Sequence, residues 1–238
     1  MLLKVEGLSK SYGGINVLSS VDISVCRGEI VGLIGPNGAG KTTLFNCISG
    51  YCRPDKGKIY IDGRMMKNKR GHEFCRMGMA RTFQASKPFF GMTVLENVAL
   101  AAYSVTEKEE EAITLAEEIL CETGLICKRD MDAKDLDSGQ TRSLELAKAL
   151  AVKPRILLLD EIMAGLSVKE MGMMTDVIKK TASSGVGVLM VEHIIPAVTA
   201  LCQRIYVLDG GIIIKEGEAM EVLSGDEVKR AYLGDGYA

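Results

Sequence analysis

The chain has 238 residues, 47% of them hydrophobic and 25% charged, with a formal net charge of −2. The near-balance of acid and base leaves no broad cationic footprint, which argues against nucleic acid as a partner. The longest apolar runs, such as 156–159 and 212–214, fall far short of the roughly 20 residues needed to cross a bilayer. Lys4 and Glu6 would interrupt the apolar stretch of a signal peptide. Seven dispersed cysteines without a C-x-x-C pair suggest neither a disulfide framework nor a zinc site. The expected setting is cytoplasmic.

In chain order, short strands are predicted at 2–5, 21–25, 30–34 and 58–61, the last stopped by Asp62-Gly63. After the third strand comes Gly35-Pro36-Asn37-Gly38-Ala39-Gly40-Lys41-Thr42-Thr43, which leads into a helix-like segment closed by Gly50. A chain that wraps a triphosphate needs positive φ angles and close backbone approach, so that several N–H groups converge on one anion. Lys41 would reach the β- and γ-phosphates and Thr42 would place its hydroxyl on Mg²⁺. The dipole of the helix beginning near Lys41 adds positive potential. Nucleotide binding is the first functional expectation.

Further along, 106–125 carries acidic residues around Ile113, Leu115, Leu120 and Leu125, a pattern expected of an amphipathic helix with a solvated acidic face. The whole stretch from about 93 to 150 reads as helical. The methionines, Met171, Met173 and Met174 among them, are read as core or helix-interface residues. Segments 156–160 and 186–191 are apolar without alternation, as befits parallel strands covered on both faces. Residues 205–208, Asp209-Gly210-Gly211 and 212–215 read as a hairpin. The expected fold is α/β: a phosphate-loop ATPase core with a central, mainly parallel sheet, an N-terminal antiparallel β region and an inserted helical lobe. The chain is expected to form a single domain over 1–238, with the core at about 1–85 and 150–238 and the lobe at about 86–149.

The strand at 156–160 ends in Asp160-Glu161. A carboxylate at such a strand end can hold the shell of Mg²⁺ through water, and the next one can polarise an attacking water. Together with Tyr12, Gln84 in Arg81-Thr82-Phe83-Gln84, the stretch Leu136-Asp137-Ser138-Gly139-Gln140, the segment Ala164-Gly165-Leu166-Ser167 and His193, these features appear in a specific order along nearly the whole chain. In that order the chain resembles the nucleotide-binding subunits of ABC transporters.

The resemblance implies ATP and Mg²⁺ as cofactors. Tyr12 would stack on adenine. Gln84 would touch Mg²⁺ or water at the junction with the helical lobe. Thr42, Gln84 and Asp160 would serve the metal, and Glu161, His193, Lys41 and Gln84 would carry catalysis. The run from Arg81 to Gln84 followed by 88–98, the segment Met190-Val191-Glu192-His193 and the ending 228–234 are similar to the ATPases of branched-chain amino acid importers, with ATPases of lipopolysaccharide export as the alternative. Integral membrane permease subunits and a solute-binding protein are the implied partners, and the implied location is the inner face of the cell membrane. A soluble ABC ATPase of DNA repair or translation would bring a long coiled-coil insertion or tandem ATPase domains, and this sequence contains neither.

Three positions depart from the family pattern. The signature loop, normally Leu-Ser-Gly-Gly-Gln, reads Leu136-Asp137-Ser138-Gly139-Gln140. In the family this loop presses on the γ-phosphate held by the other subunit of a dimer, so Asp137 puts an anion where a donor belongs. Two unit charges about 4 Å apart repel by about 4 kcal/mol at an effective dielectric near 20. Turning away, protonation or a nearby cation would relieve this. The expectation is a heterodimer with a second ABC ATPase, in which this chain supplies an intact catalytic set and a degenerate signature; a homodimer or a weakly hydrolysing nucleotide sensor are the alternatives. Ile162 and Ile194 replace the usual proline and aspartate.

Overall fold

The computed structural model describes residues 1–67, 69–83 and 88–225. Gln84 and the 228–234 ending lie outside the described residues. Two sheets organise the described residues. The first is antiparallel, in the order β2-β1-β4-β5, formed by β1 (Leu3–Tyr12), β2 (Ile15–Val25), β4 (Lys56–Ile61) and β5 (Arg64–Met65). The second has six strands in the order β10-β9-β3-β8-β7-β6: β3 (Ile30–Ile34), β6 (Met79–Arg81), β7 (Ile156–Asp160), β8 (Gly187–Val191), β9 (Arg204–Asp209) and β10 (Ile212–Glu218). Its neighbours are parallel except for β10, which closes the edge as an antiparallel hairpin with β9.

The sequence pattern explains the layering. Every residue of β3, β7 and β8 is buried, as uninterrupted apolar strands require when both faces are covered. On one face, α1 (Lys41–Ile48) is enclosed between the six-stranded sheet and the antiparallel sheet, with Leu44, Phe45 and Ile48 meeting Leu3, Val21 and Ile61 in one apolar cluster. On the other face, α3 (Val94–Ala102), α4 (Glu109–Glu122), α5 (Ser138–Ala151), α6 (Val168–Ser183) and α7 (Ile195–Leu201) share a second cluster with Leu157, Leu159 and Val188. Two short helices, α2 (Gly71–Arg76) and α8 (Ala219–Ser224), and single 3-10 turns at Ile126–Lys128 and Ala133–Asp135 complete the order among the described residues.

The helical stretch expected at 93–150 resolves into α3, α4 and α5, packed on one another. Thr93 and Glu96 form a capping box that starts α3. The fully buried Asn97 accepts from Phe89 N (2.8 Å) and donates to Phe89 O (3.1 Å), which pins the preceding turn to the helix. Glu109, Glu110 and Glu111 are exposed, as expected of a solvated face. Of the methionines at 171–174, Met174 is in the core and Met171 packs against it, whereas Met173 is 43% exposed.

Candidate active site

In the order of the sheet, four strand ends come together on one edge. β3 delivers the phosphate loop, β8 delivers Glu192-His193, β7 delivers Asp160-Glu161 and β6 delivers Thr82. Val191 is the register partner of both Leu33 and Asp160, so these ends are level. Such an edge, at the carboxyl ends of parallel strands, is where open α/β sheets bind ligands.

The loop is built for close approach. Gly35 has φ 154°, and a Cβ there would fall 2.0 Å from Leu208 O, so no larger residue fits. α1 begins at Gly40 without a side-chain cap and without an acid in its first turn. Lys41, nearly buried, folds back over the loop and donates to Gly35 O (2.6 Å) and Pro36 O (2.8 Å). Burial lowers its pKa, while the nearby charges of Glu161 and Asp160 pull the other way. The residues on which sequence analysis placed phosphate and metal chemistry therefore share one electrostatic environment.

Asp160 is buried and held from two sides. Its Oδ2 accepts from Arg81 Nη2 at 2.9 Å, and its backbone N–H donates to Thr82 Oγ1 at 3.1 Å. Glu161, next in sequence, has φ 51°, a left-handed backbone that is uncommon for a residue with a side chain and recurrent at functional sites. Its Oε1 lies 3.9 Å from His193 Nδ1, within ion-pair range but beyond a hydrogen bond. Such contacts commonly tighten only when substrate is bound. His193 is exposed, so it is open to a ligand.

Glu192 has no functional role assigned from the sequence beyond its place in the 190–193 segment. It is almost fully buried, its Oε1 accepts from Met163 N at 2.9 Å, and its Oε2 has no hydrogen-bond partner. Burial raises its pKa. It ties the strand end that carries His193 to the turn after Glu161. A charged residue ending an otherwise apolar strand was the available signal. Arg81 and Thr82 were read only as part of a resemblance, and their contacts with Asp160 span 79 and 78 positions.

Tyr12 lies at the end of β1, half exposed, with its hydroxyl 3.2 Å from Cys52 Sγ and Lys10 Nζ 5.2 Å from its ring centre. The contact with Cys52, with burial, pushes the phenol up to about 12. Ile162 is buried in the core, and Ile194 precedes α7 without capping it by its side chain.

The signature stretch gives a specific result. Asp137 is the N-cap of α5: Asp137 Oδ1 accepts from Gln140 N at 2.8 Å, and Gln140 Oε1 accepts from Asp137 N at 3.3 Å, a reciprocal capping box. Its carboxylate is thus turned back onto its own helix. Leu136 packs against the core. Ser138 is exposed, and the buried Gly139 abuts Glu170 so tightly that a Cβ would lie 2.2 Å from Glu170 Oε1.

Thr42 and Asp160 offer hydroxyl and carboxylate oxygens, the hard donors that Mg²⁺ prefers. Among the described residues there is no group of three or more His, Cys, Asp or Glu able to hold a metal, so an ion here would complete its shell with phosphate and water. That fits Mg²⁺ carried by a nucleotide.

Residues 18–164 match the family model described as ABC transporter. The chain is a member of the ABC transporter family. It is 36% identical to a probable branched-chain amino acid transport ATP-binding protein, LivG, of Archaeoglobus fulgidus, over 98% of this chain and 95% of that one. It is 35% identical to the lipopolysaccharide export system ATP-binding protein LptB of Acidithiobacillus ferridurans, over 98% of this chain and 97% of that one. Among solved structures, the ATP-binding cassette MJ1267 of an ABC transporter superposes with a TM-score of 0.90 at 32% identity, over 98% of this chain and 99% of that one. The dimeric cassette MJ0796, in a post-hydrolysis state bound to ADP and Pi, superposes with a TM-score of 0.83 at 27% identity, over 92% of this chain and 99% of that one. The α/β architecture is that of the ABC ATPases. The protein is an ATP-binding ATPase subunit of an ABC transporter.

Proposed function

We propose that this subunit energises an importer for branched-chain or other hydrophobic amino acids, as a single ATPase domain over 1–238 with its helical lobe at about 86–149. The printed role of the LivG relative and the run from Arg81 through 88–98 support the importer reading; the LptB relative, at nearly the same identity, supports export as the alternative. The observation that carries the catalytic part is the level edge where the phosphate loop, Asp160-Glu161 and Glu192-His193 converge.

In this reading ATP lies on the loop from Gly35 through Pro36, Asn37, Gly38, Ala39 and Gly40 to Lys41, Thr42 and Thr43, with adenine against Tyr12. Lys41 leaves its carbonyl partners for the β- and γ-phosphates. Thr42, Gln84 and Asp160 would hold Mg²⁺, which when bound would neutralise charge on the transferred phosphoryl. Glu161 accepts a proton from the attacking water, and His193 bonds the γ-phosphate and orients Glu161. Leu136, Asp137, Ser138, Gly139 and Gln140 face the nucleotide of a second ATPase subunit. The carboxylate of Asp137 caps its own helix but keeps its negative charge at that helix end, and this remaining charge favours a heterodimer in which the partner supplies a sound signature. Permease subunits would dock in the groove of about 470 Å³ lined by Tyr51, Phe83, Ala101 and Lys148, where Tyr51 and Phe83 are exposed. This places the chain on the inner face of the membrane, with a solute-binding protein supplying the amino acid from the other side.

The test is ATP turnover by this chain alone and after reconstitution with candidate partner ATPase and permease subunits in vesicles, read alongside uptake of labelled leucine. Turnover that rises on assembly and again with leucine-loaded binding protein is expected. Brisk turnover by the isolated homodimer would sink the heterodimer, and stimulation by lipopolysaccharide rather than amino acid would sink the importer.

A further inference from the structure

We propose that Arg81 is a positioning residue that sets the spacing between the two parts of the Mg²⁺ site, the strand end carrying Asp160 and the helix carrying Thr42. Arg81 is on β6, at the edge of the sheet, yet its side chain is only 7% exposed and reaches across to both parts. Nη2 donates to Asp160 Oδ2 at 2.9 Å, and Nη1 donates to Asn46 Oδ1 at 2.7 Å and Ser49 Oγ at 3.0 Å. Asn46 is on α1, one turn beyond Thr42, and Ser49 follows the last turn of that helix. The guanidinium is further confined by the Phe45 ring at 5.6 Å and the Phe83 ring at 5.0 Å.

A merely structural role accounts poorly for this arrangement. Burying an ion pair recovers little net stability compared with apolar residues of similar size, and Arg81 Nε is buried without a partner, which adds cost. What the planar fork does supply is geometry, because one rigid group fixes a carboxylate and a helix at once, and a lysine could not. With Oδ2 committed to Arg81, Oδ1 is the carboxylate oxygen that would serve the metal side.

The inference rests on the reading of Asp160 as the metal-side carboxylate, and the test separates the two. Binding of a fluorescent ATP analogue to the full chain is titrated with Mg²⁺ and repeated in EDTA, for native protein, Arg81→Lys, Asn46→Ala and Asp160→Asn, with thermal melting as a check on folding. Arg81→Lys is expected to raise the Mg²⁺ concentration for half-maximal binding about tenfold, the usual scale for losing an outer-shell partner, with binding in EDTA unchanged. Asn46→Ala loosens the link to α1 without touching the ion pair and is expected to shift the same titration by less, about threefold, below the tenfold of a lost outer-shell partner. If Asp160→Asn moves the Mg²⁺ titration while Arg81→Lys and Asn46→Ala do not, or if they weaken binding equally with and without Mg²⁺, Arg81 is only structural and the inference is wrong. If Asp160→Asn itself leaves the titration unmoved, the metal reading of Asp160 falls and the inference with it. Should Arg81→Lys melt far below native, Asn46→Ala decides alone.

Discussion

Two helix N-termini in this chain, both proposed to meet a nucleotide phosphate, are finished in opposite ways. α1 starts at Gly40 with no side-chain cap and no acid in its first turn, whereas α5 starts at Asp137, whose carboxylate caps Gln140 N. An uncapped start costs helix stability, and α1 tolerates it because Leu44, Phe45, Cys47 and Ile48 are buried between two sheets. In the proposed function its first amides and dipole meet the incoming phosphate. At α5 the cap secures the corner of the helical lobe, but an anion approaching that end meets a carboxylate. The difference teaches that a helix end can serve its own fold or an external anion, and that neighbouring packing decides which it can afford.

Removing the cation at the open end should have the largest effect. Lys41→Ala is expected to lower ATP turnover of the assembled transporter by about 10²- to 10³-fold, measured as phosphate release. Retained turnover would mean that the loop amides alone hold the γ-phosphate. At the closed end the sign reverses. Asp137→Asn keeps a capping side chain and removes the charge, so turnover is expected to rise about tenfold, a modest share of the several kcal/mol that opposed like charges cost. An unchanged rate would show that the partner's nucleotide never meets this corner. Asp137→Ala also removes the charge but loses the cap, and chemical denaturation should find it about 1 kcal/mol less stable than Asp137→Asn. Equal stabilities would mean that α5 is secured by its packing alone, as α1 is.

The smallest effect concerns the other acid, buried on the core side. Burial raises the folded-state pKa of Glu192 above its unfolded value. The folded protein therefore keeps that proton longer, and stability is lost as pH rises from the ordinary carboxylate range through the raised value. Glu192→Gln keeps an acceptor for Met163 N and escapes this loss. Its stability advantage over native protein in urea unfolding should widen from acid toward neutral pH; a gap that is constant or narrows would contradict the burial argument.

Much of the fold was legible because its signals are local. The loop from Gly35 to Thr43 and the apolar strand ending in Asp160-Glu161 are contiguous, and a continuous apolar run reports a strand covered on both faces. Element boundaries were less legible: the first strand was expected at 2–5 but extends to Tyr12, because pairing with β2 and β4 continues through irregular register. Arg81, Thr82 and Glu192 escaped a functional reading for another reason. A buried polar residue declares its role through its partner, and those partners lie 79, 78 and 29 positions away.

By itself, then, the sequence determined the phosphate loop, the strand-end carboxylates and the anomaly at 137, since each is written in consecutive residues whose backbone and charge preferences act locally. Only the tertiary structure decided that Arg81 binds Asp160 to α1 and that Glu192 is buried. Those outcomes depend on which distant groups the sheet order brings within hydrogen-bond reach, and the energy of a buried charge is set by the groups around it.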